Sequence, residues 1–160
     1  MKITILVVGR VRGALAVPIR DFEERAGRYW KLDVVEVDAG ASKGGDKSPD
    51  AVRAAEGDRL GRRRPAGTEV VALTRRGKGM SSKDLAAYLE DHAVHSSPGV
   101  TFMIGGAFGL GSTLLAKASR ELALSPMTMP HEMARLVLAE QLYRAGTILK
   151  NEPYHKGSTT

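Results

Sequence analysis

The run Val100-Thr101-Phe102-Met103-Ile104 empties directly into Gly105-Gly106-Ala107-Phe108-Gly109-Leu110-Gly111. So short an apolar run, stopped by glycines, reads as a strand and not as a helix. A strand that runs into glycines exposes backbone N–H and C=O groups that no side chain shields. Chains use that arrangement to press backbone against a flat or charged ligand. A second punctuated turn, Leu124-Ser125-Pro126-Met127-Thr128-Met129-Pro130-His131, follows another short strand pattern and can wall the same pocket.

The same alternation runs through the whole chain. Lys2 to Val8 is a buried strand ending at Gly9, and Ala14 to Trp30 places Leu15, Ile19, Phe22, Ala26 and Tyr29 at helical spacing. Leu32 to Asp38 is a second strand, followed by a Gly- and Lys-rich loop from Ala39 to Lys47. Ser48-Pro49 supplies an N-cap with proline at the first helical position and opens a helix to about Leu60. Glu69 to Thr74 is a third strand, and Ser81-Ser82-Lys83-Asp84 caps a helix to about Ala93. A helix from about Ser112 to Glu121, a fifth short strand and a long last helix complete the count. Strands alternating with helices give an α/β layer built on a mainly parallel sheet, with helices on both faces. At 160 residues the chain is expected to be one domain, 1–160, around one core.

In such sheets ligands sit outside the carboxyl ends of the strands. Leu73, Gly105 and the segment Leu124 to Met129 all lie at such ends and converge if their strands are neighbours. The common phosphate cradles are missing: there is no G-x-x-x-x-G-K-[ST], no G-x-G-x-x-G after the first strand and no G-x-S-x-G. A nucleotide-binding regulatory domain is disfavoured on that ground.

The chain has no cysteine, which removes disulfides, thiolate metal sites and thiol nucleophiles together. Of its four histidines only His92 and His95 share a helical spacing, and they read as a solvated C-terminal turn, so no metal is expected. No apolar run approaches a bilayer span, and the first nine residues resemble a strand more than a signal peptide, so a cytoplasmic protein is expected. The net charge of +6 makes a polyanionic partner plausible, while the 5% aromatic content gives no evident stacking platform.

The last helix carries Met133, Leu136, Val137, Leu138, Leu142, Tyr143 and Ile148, with Ala134, Ala139 and Ala145, and keeps only a narrow polar face. A helix apolar on most sides must be covered on most sides. Either it lies in the core or it forms a subunit interface; its place at the end of a small domain favours a homodimer. Arg135, Glu140 and Arg144 then need partners. His131, Tyr154 and His155 are the residues able to move or position a proton near neutral pH.

Four segments together resemble one family: Ile104 to Leu110, Met127-Thr128-Met129-Pro130-His131, Arg135-Leu136-Val137-Leu138-Ala139-Glu140-Gln141-Leu142-Tyr143-Arg144-Ala145, and Pro153-Tyr154-His155-Lys156. They are similar to the large-subunit ribosomal RNA pseudouridine N3-methyltransferases of the SPOUT, or trefoil-knot, class. The resemblance extends over the whole chain. It implies a C-terminal trefoil knot over about residues 100–155 and S-adenosylmethionine bound bent against backbone loops. By position those loops are Leu73, Gly105, Leu124, Ser125, Pro126, Met127, Thr128 and Met129. It also implies a homodimer with each site at the interface, and 23S ribosomal RNA in the assembled ribosome as substrate.

Nitrogen methylation asks only for a positioned nitrogen and removal of a proton, which suits a chain without cysteine. His131 and His155 are the candidate proton acceptors or orienters. Arg135 is a candidate to hold a phosphate or an enolate-like oxygen, and Tyr154 to hold the base or the tail. Two other readings stay open on sequence grounds: a trefoil-knot enzyme acting on tRNA or a ribose hydroxyl, and a basic RNA-binding protein without catalysis.

Overall fold

The computed structural model describes residues 1–156. Its elements in chain order are β1 (Lys2–Val8), α1 (Ala16–Ala26), β2 (Lys31–Val37), α2 (Pro49–Arg63), β3 (Glu69–Gly79), α3 (Ser82–Val94), β4 (Val100–Ile104), α4 (Ser112–Ala116), β5 (Arg120–Ala123) and α5 (His131–Leu149), closed by a 3-10 turn at Pro153–His155. The five strands form one sheet in the order β2-β1-β4-β3-β5, every pairing parallel.

Parallel strands need crossovers, and the crossovers put helices on both faces. Ile3, Ile5, Val7, Val71, Phe102 and Ile104 turn to the face where Trp30, Leu85, Leu89, Leu138 and Leu142 pack, brought there by the α1 side of the chain, α3 and α5. Leu6, Val8, Val37, Val70 and Met103 turn to the other face, against Leu60 of α2 and Leu114 of α4. Trp30 is locked in the first core by donating its indole N–H to the Leu142 carbonyl at 2.8 Å. The local signals act as read. Ser48 accepts from the Ala51 N–H with proline next to it, and Ser81 and Asp84 close a reciprocal capping box.

Three boundaries depart from the sequence reading. The helix expected from Ser112 to Glu121 stops at Ala116, because Arg120–Ala123 pairs with β3 as a strand. β3 does not end at Thr74 but continues to Gly79. Its pairing with β5 is broken midway, so that Leu73 and Lys78 both face Leu122 and the residues between them loop out. The first helix is confined to Ala16–Ala26, its end marked by Gly27. No helix among the described residues is long and apolar enough to cross a membrane.

Candidate active site

The strand order decides where the site lies. β4, β3 and β5 are consecutive in the sheet, so the chain segments leaving their carboxyl ends meet. There they wall a cavity of 530 Å³, a size suited to a small-molecule ligand. Leu73 and the looped-out Thr74, Arg75 and Arg76 come from β3, Gly105 to Leu110 from the turn after β4, and Leu124, Ser125, Met127, Thr128 and Met129 from the turn after β5. His131 and Ala134 close it from the first turn of α5.

The turn after β4 folds back on itself through a Gly106–Gly109 bridge. Glycine is required there for two reasons. Gly109 has φ +75°, and a Cβ on Gly105 would stand 2.6 Å from the Gly109 carbonyl carbon. The turn therefore presents nearly bare backbone to the cavity. Across from it, Ser125 caps its own turn by accepting from the Met127 N–H at 3.0 Å, and Met127 is left 77% exposed. Leu73, Ile104, Leu110, Leu115 and Leu122 supply apolar walls.

His131 begins α5 and its imidazole lies against the chain leaving β1: a Cβ on Gly9 would come within 3.0 Å of Nε2. That nitrogen is buried without a hydrogen-bond partner among the described residues. A buried polar atom left unmatched in this way is unusual, and it belongs to a residue that lines the cavity.

Residues 1–155 match the family described as "Predicted SPOUT methyltransferase". The chain belongs to the SPOUT methyltransferase family. Among its relatives are proteins named "Ribosomal RNA large subunit methyltransferase H". The one from Gemmatimonas aurantiaca is 50% identical over 98% of this chain and 100% of its own length. That from Syntrophotalea carbinolica is 46% identical over 97% and 99%, and that from Clostridium beijerinckii 35% over 98% and 100%.

In this SPOUT chain the residues singled out from sequence fall into two groups. Leu73, Gly105, Leu124, Ser125, Met127, Thr128, Met129 and His131 all line the cavity, whereas Pro126, Arg135, Tyr154 and His155 do not. Arg135 is 6% exposed and committed elsewhere. Its Nε and Nη2 donate to Glu23 at 2.6 and 3.2 Å and its Nη1 to Glu36 at 2.8 Å. Burial opposes its charge, but the two carboxylates more than offset that and hold the guanidinium above its ordinary value. In this structure Arg135 ties α5 to α1 and β2.

Tyr154 donates its hydroxyl to Glu140 at 3.0 Å, packs on Tyr143 at 4.5 Å between ring centroids, and lies under the Arg144 guanidinium at 4.9 Å. Arg144 also donates to Glu140 at 2.6 Å. Glu140 stands nine residues after His131, about 14 Å along the helix at 1.5 Å per residue. The tail is thus held well away from the cavity of its own chain. Thr74, Phe108 and Leu110 line the cavity as well; the sequence marks the last two only as part of the glycine turn, and a phenylalanine inside such a turn is the available signal for Phe108. No group of three His, Cys, Asp or Glu side chains among the described residues is placed to hold a metal ion.

Proposed function

We propose that this chain is a single-domain enzyme, 1–160, that methylates N3 of a pseudouridine in 23S ribosomal RNA on the assembled ribosome. The observation that carries the reading is the convergence of three backbone turns and His131 on one cavity. Bare glycine backbone, a leucine-lined wall and no phosphate cradle suit a bent nucleoside that carries a sulfonium and no phosphate. When bound, S-adenosylmethionine supplies an electrophilic methyl group, whose C–S electrons return to sulfur as the new N–C bond forms.

The protein's own part is positional. Leu73, Gly105 and the Leu124 to Met129 turn hold the cofactor with backbone N–H and C=O groups. The base must lose its N3 proton, and His131 is the candidate to accept it or to fix the imide carbonyl: it lines the cavity, and its Nε2 has no hydrogen-bond partner among the described residues. The ring is held against Gly9 at the start of α5.

The enzyme works as a homodimer, and Tyr154 and His155 of one subunit complete the site of the other. Their distance from the cavity of their own chain supports this. So does the half-buried stripe of Leu136, Val137, Glu140 and Arg144 on α5 beside the exposed Met133, which a partner helix can cover. The segment from β4 onward forms the trefoil knot that the family's fold implies, with β4 set between β1 and β3.

The test is methylation of large ribosomal subunits that lack the modification, with the modified nucleotide mapped by mass spectrometry. Saturable binding of S-adenosylmethionine, one per subunit, and a methyl group at N3 of a pseudouridine are expected. A methyl group on a ribose hydroxyl or on tRNA, or activity on naked transcript but not on ribosomes, would sink the reading.

A further inference from the structure

A second cavity, of 710 Å³, opens on the other side of the glycine turn. Its walls are the loop 39–47, Glu56 and Val52 of α2, and Ala107 with Phe108. Ala107 and Phe108 line the cofactor cavity as well, so the two cavities share a wall. Phe108 is 46% exposed, and its backbone carbonyl is fixed by Arg53, which donates from Nη1 at 3.3 Å.

The loop is Gly-rich yet anchored at both ends. Arg59 donates to the carbonyls of Asp38, Gly40 and Ala41 at 2.9, 2.7 and 3.1 Å. One turn earlier on α2, Glu56 accepts the Gly40 N–H through Oε2 at 2.9 Å. At the far end Asp46 accepts from both the N–H and the hydroxyl of Ser48, at 2.9 and 3.0 Å. Between these anchors Lys43 and Lys47 are exposed and have no ion-pair partner among the described residues. Glu56 is 3% exposed, and its Oε1 has no hydrogen-bond partner among the described residues.

We propose that this cavity is a second nucleotide site, which holds an unstacked nucleotide of the RNA beside the one being methylated. Its base lies on the Phe108 ring and its phosphates face Lys43 and Lys47. An exposed aromatic beside unpaired lysines is the chemistry that holds single-stranded nucleotides, since every base has a π-face and every link a phosphate. A loop anchored at both ends keeps the entropy of that contact small. The shared Phe108 wall sets the spacing, with one base on each side of the glycine turn. Held this way, the RNA chain cannot slide, and only one nucleotide reaches the cofactor. This inference rests on the reading of the first cavity as an RNA methylation site.

The experiment measures kcat and KM on large ribosomal subunits lacking the modification, together with S-adenosylmethionine affinity by calorimetry, for the full chain. For K43A/K47A, KM for subunits should rise about tenfold and the salt dependence of binding should flatten by about 1.4 logarithmic units per decade of salt, two phosphate contacts' worth. Cofactor affinity and kcat should stay at the wild-type level. Phe108→Ala should raise KM about tenfold or more, the loss of one stacked base, and Phe108→Tyr should restore it. Unchanged KM in K43A/K47A, or a Phe108→Ala defect confined to cofactor affinity, overturns the second site while wild-type turnover keeps the first reading intact. No turnover by the wild type, with cofactor bound, overturns the first reading instead.

Discussion

Arg135 and Glu36 are joined at 2.8 Å, and the same Glu36 oxygen accepts the backbone N–H of Val11 at 3.2 Å. One carboxylate thus links α5 to the turn after β1, where Gly9 meets His131. Glu23 completes the arrangement from α1. Removing the buried cation leaves two carboxylates facing each other. Arg135→Met should cost about 3–5 kcal/mol in urea unfolding, the penalty for breaking a buried ion pair. The triple variant Arg135→Met, Glu23→Gln, Glu36→Gln should recover most of it. A loss below about 1 kcal/mol for the single change would mean the triad is no more than a surface ion pair.

The triad also has a pH signature. Burial alone would raise the Glu36 carboxyl, but the hydrogen bonds from Arg135 and Val11 and the nearby guanidinium charges bring it below its ordinary 4.5. A carboxyl that is more acidic in the folded state stabilises the fold above 4.5, and that contribution is lost as pH falls through the lower folded value. Unfolding midpoints measured across the acid range should therefore fall less steeply for Glu36→Gln than for wild type. Parallel curves would remove Glu36 from the acid response.

Tyr29 gives the opposite limb. Its hydroxyl donates to Glu152, and that bond, with burial and the repulsion of the carboxylate, pushes the phenol up to about 12. The protonated phenol is favoured by folding, so its contribution is whole below the ordinary value of 10.0 and disappears as pH rises through about 12. The same ring leaves no room on α5: a Cβ on Gly146 would stand 2.3 Å from Tyr29 Cγ. Gly146→Ala should cost at least about 1–3 kcal/mol by overpacking, despite alanine's better helix propensity. Adding Tyr29→Ala should reverse the sign of that substitution in a thermal melt. An unchanged cost would show that the ring is not what Gly146 accommodates.

What the sequence made legible follows the range of the interaction. β1, β4 and the capped starts of α2 and α3 are written in neighbouring residues, such as Ser48 beside Pro49 or Ser81 three before Asp84. The boundary between α4 and β5 is not, because Leu114 to Ala118 reads as helix, and only pairing with the parallel neighbour β3 sets the strand at Arg120–Ala123. The far half of β3, Arg75 to Gly79, is polar and glycine-bearing and is ordered by that same distant pairing. For the site, the turns at strand ends were legible because backbone exposure follows from glycine and strand polarity. The partners of Arg135 were not, since Glu23 and Glu36 lie 112 and 99 residues away in sequence. A charged residue on an apolar helix shows only that a partner exists.

A tail that serves its own cavity and one that serves the partner's differ in what mixed dimers can do. Gly105→Ala places a methyl group 2.6 Å from the Gly109 carbonyl carbon and should abolish cofactor binding in its own subunit, with α5 and the tail untouched. His155→Ala leaves the cavity intact and removes the tail imidazole. Each homodimer should be inactive or nearly so, with melting and dimer mass checked against wild type. After subunits are mixed in equal amounts and exchanged, half the dimers are mixed and one of their two sites is built wholly from unaltered groups. Activity should then return to about one quarter of wild type, as a closed two-fold dimer with shared sites requires. If each tail serves its own cavity, every site in the mixed dimer carries one defect and nothing returns. Tyr154 would then have to leave Glu140, and His155 cross with it to His131 within one chain, a rearrangement that hydrogen exchange at residues 150–156 on cofactor addition would detect.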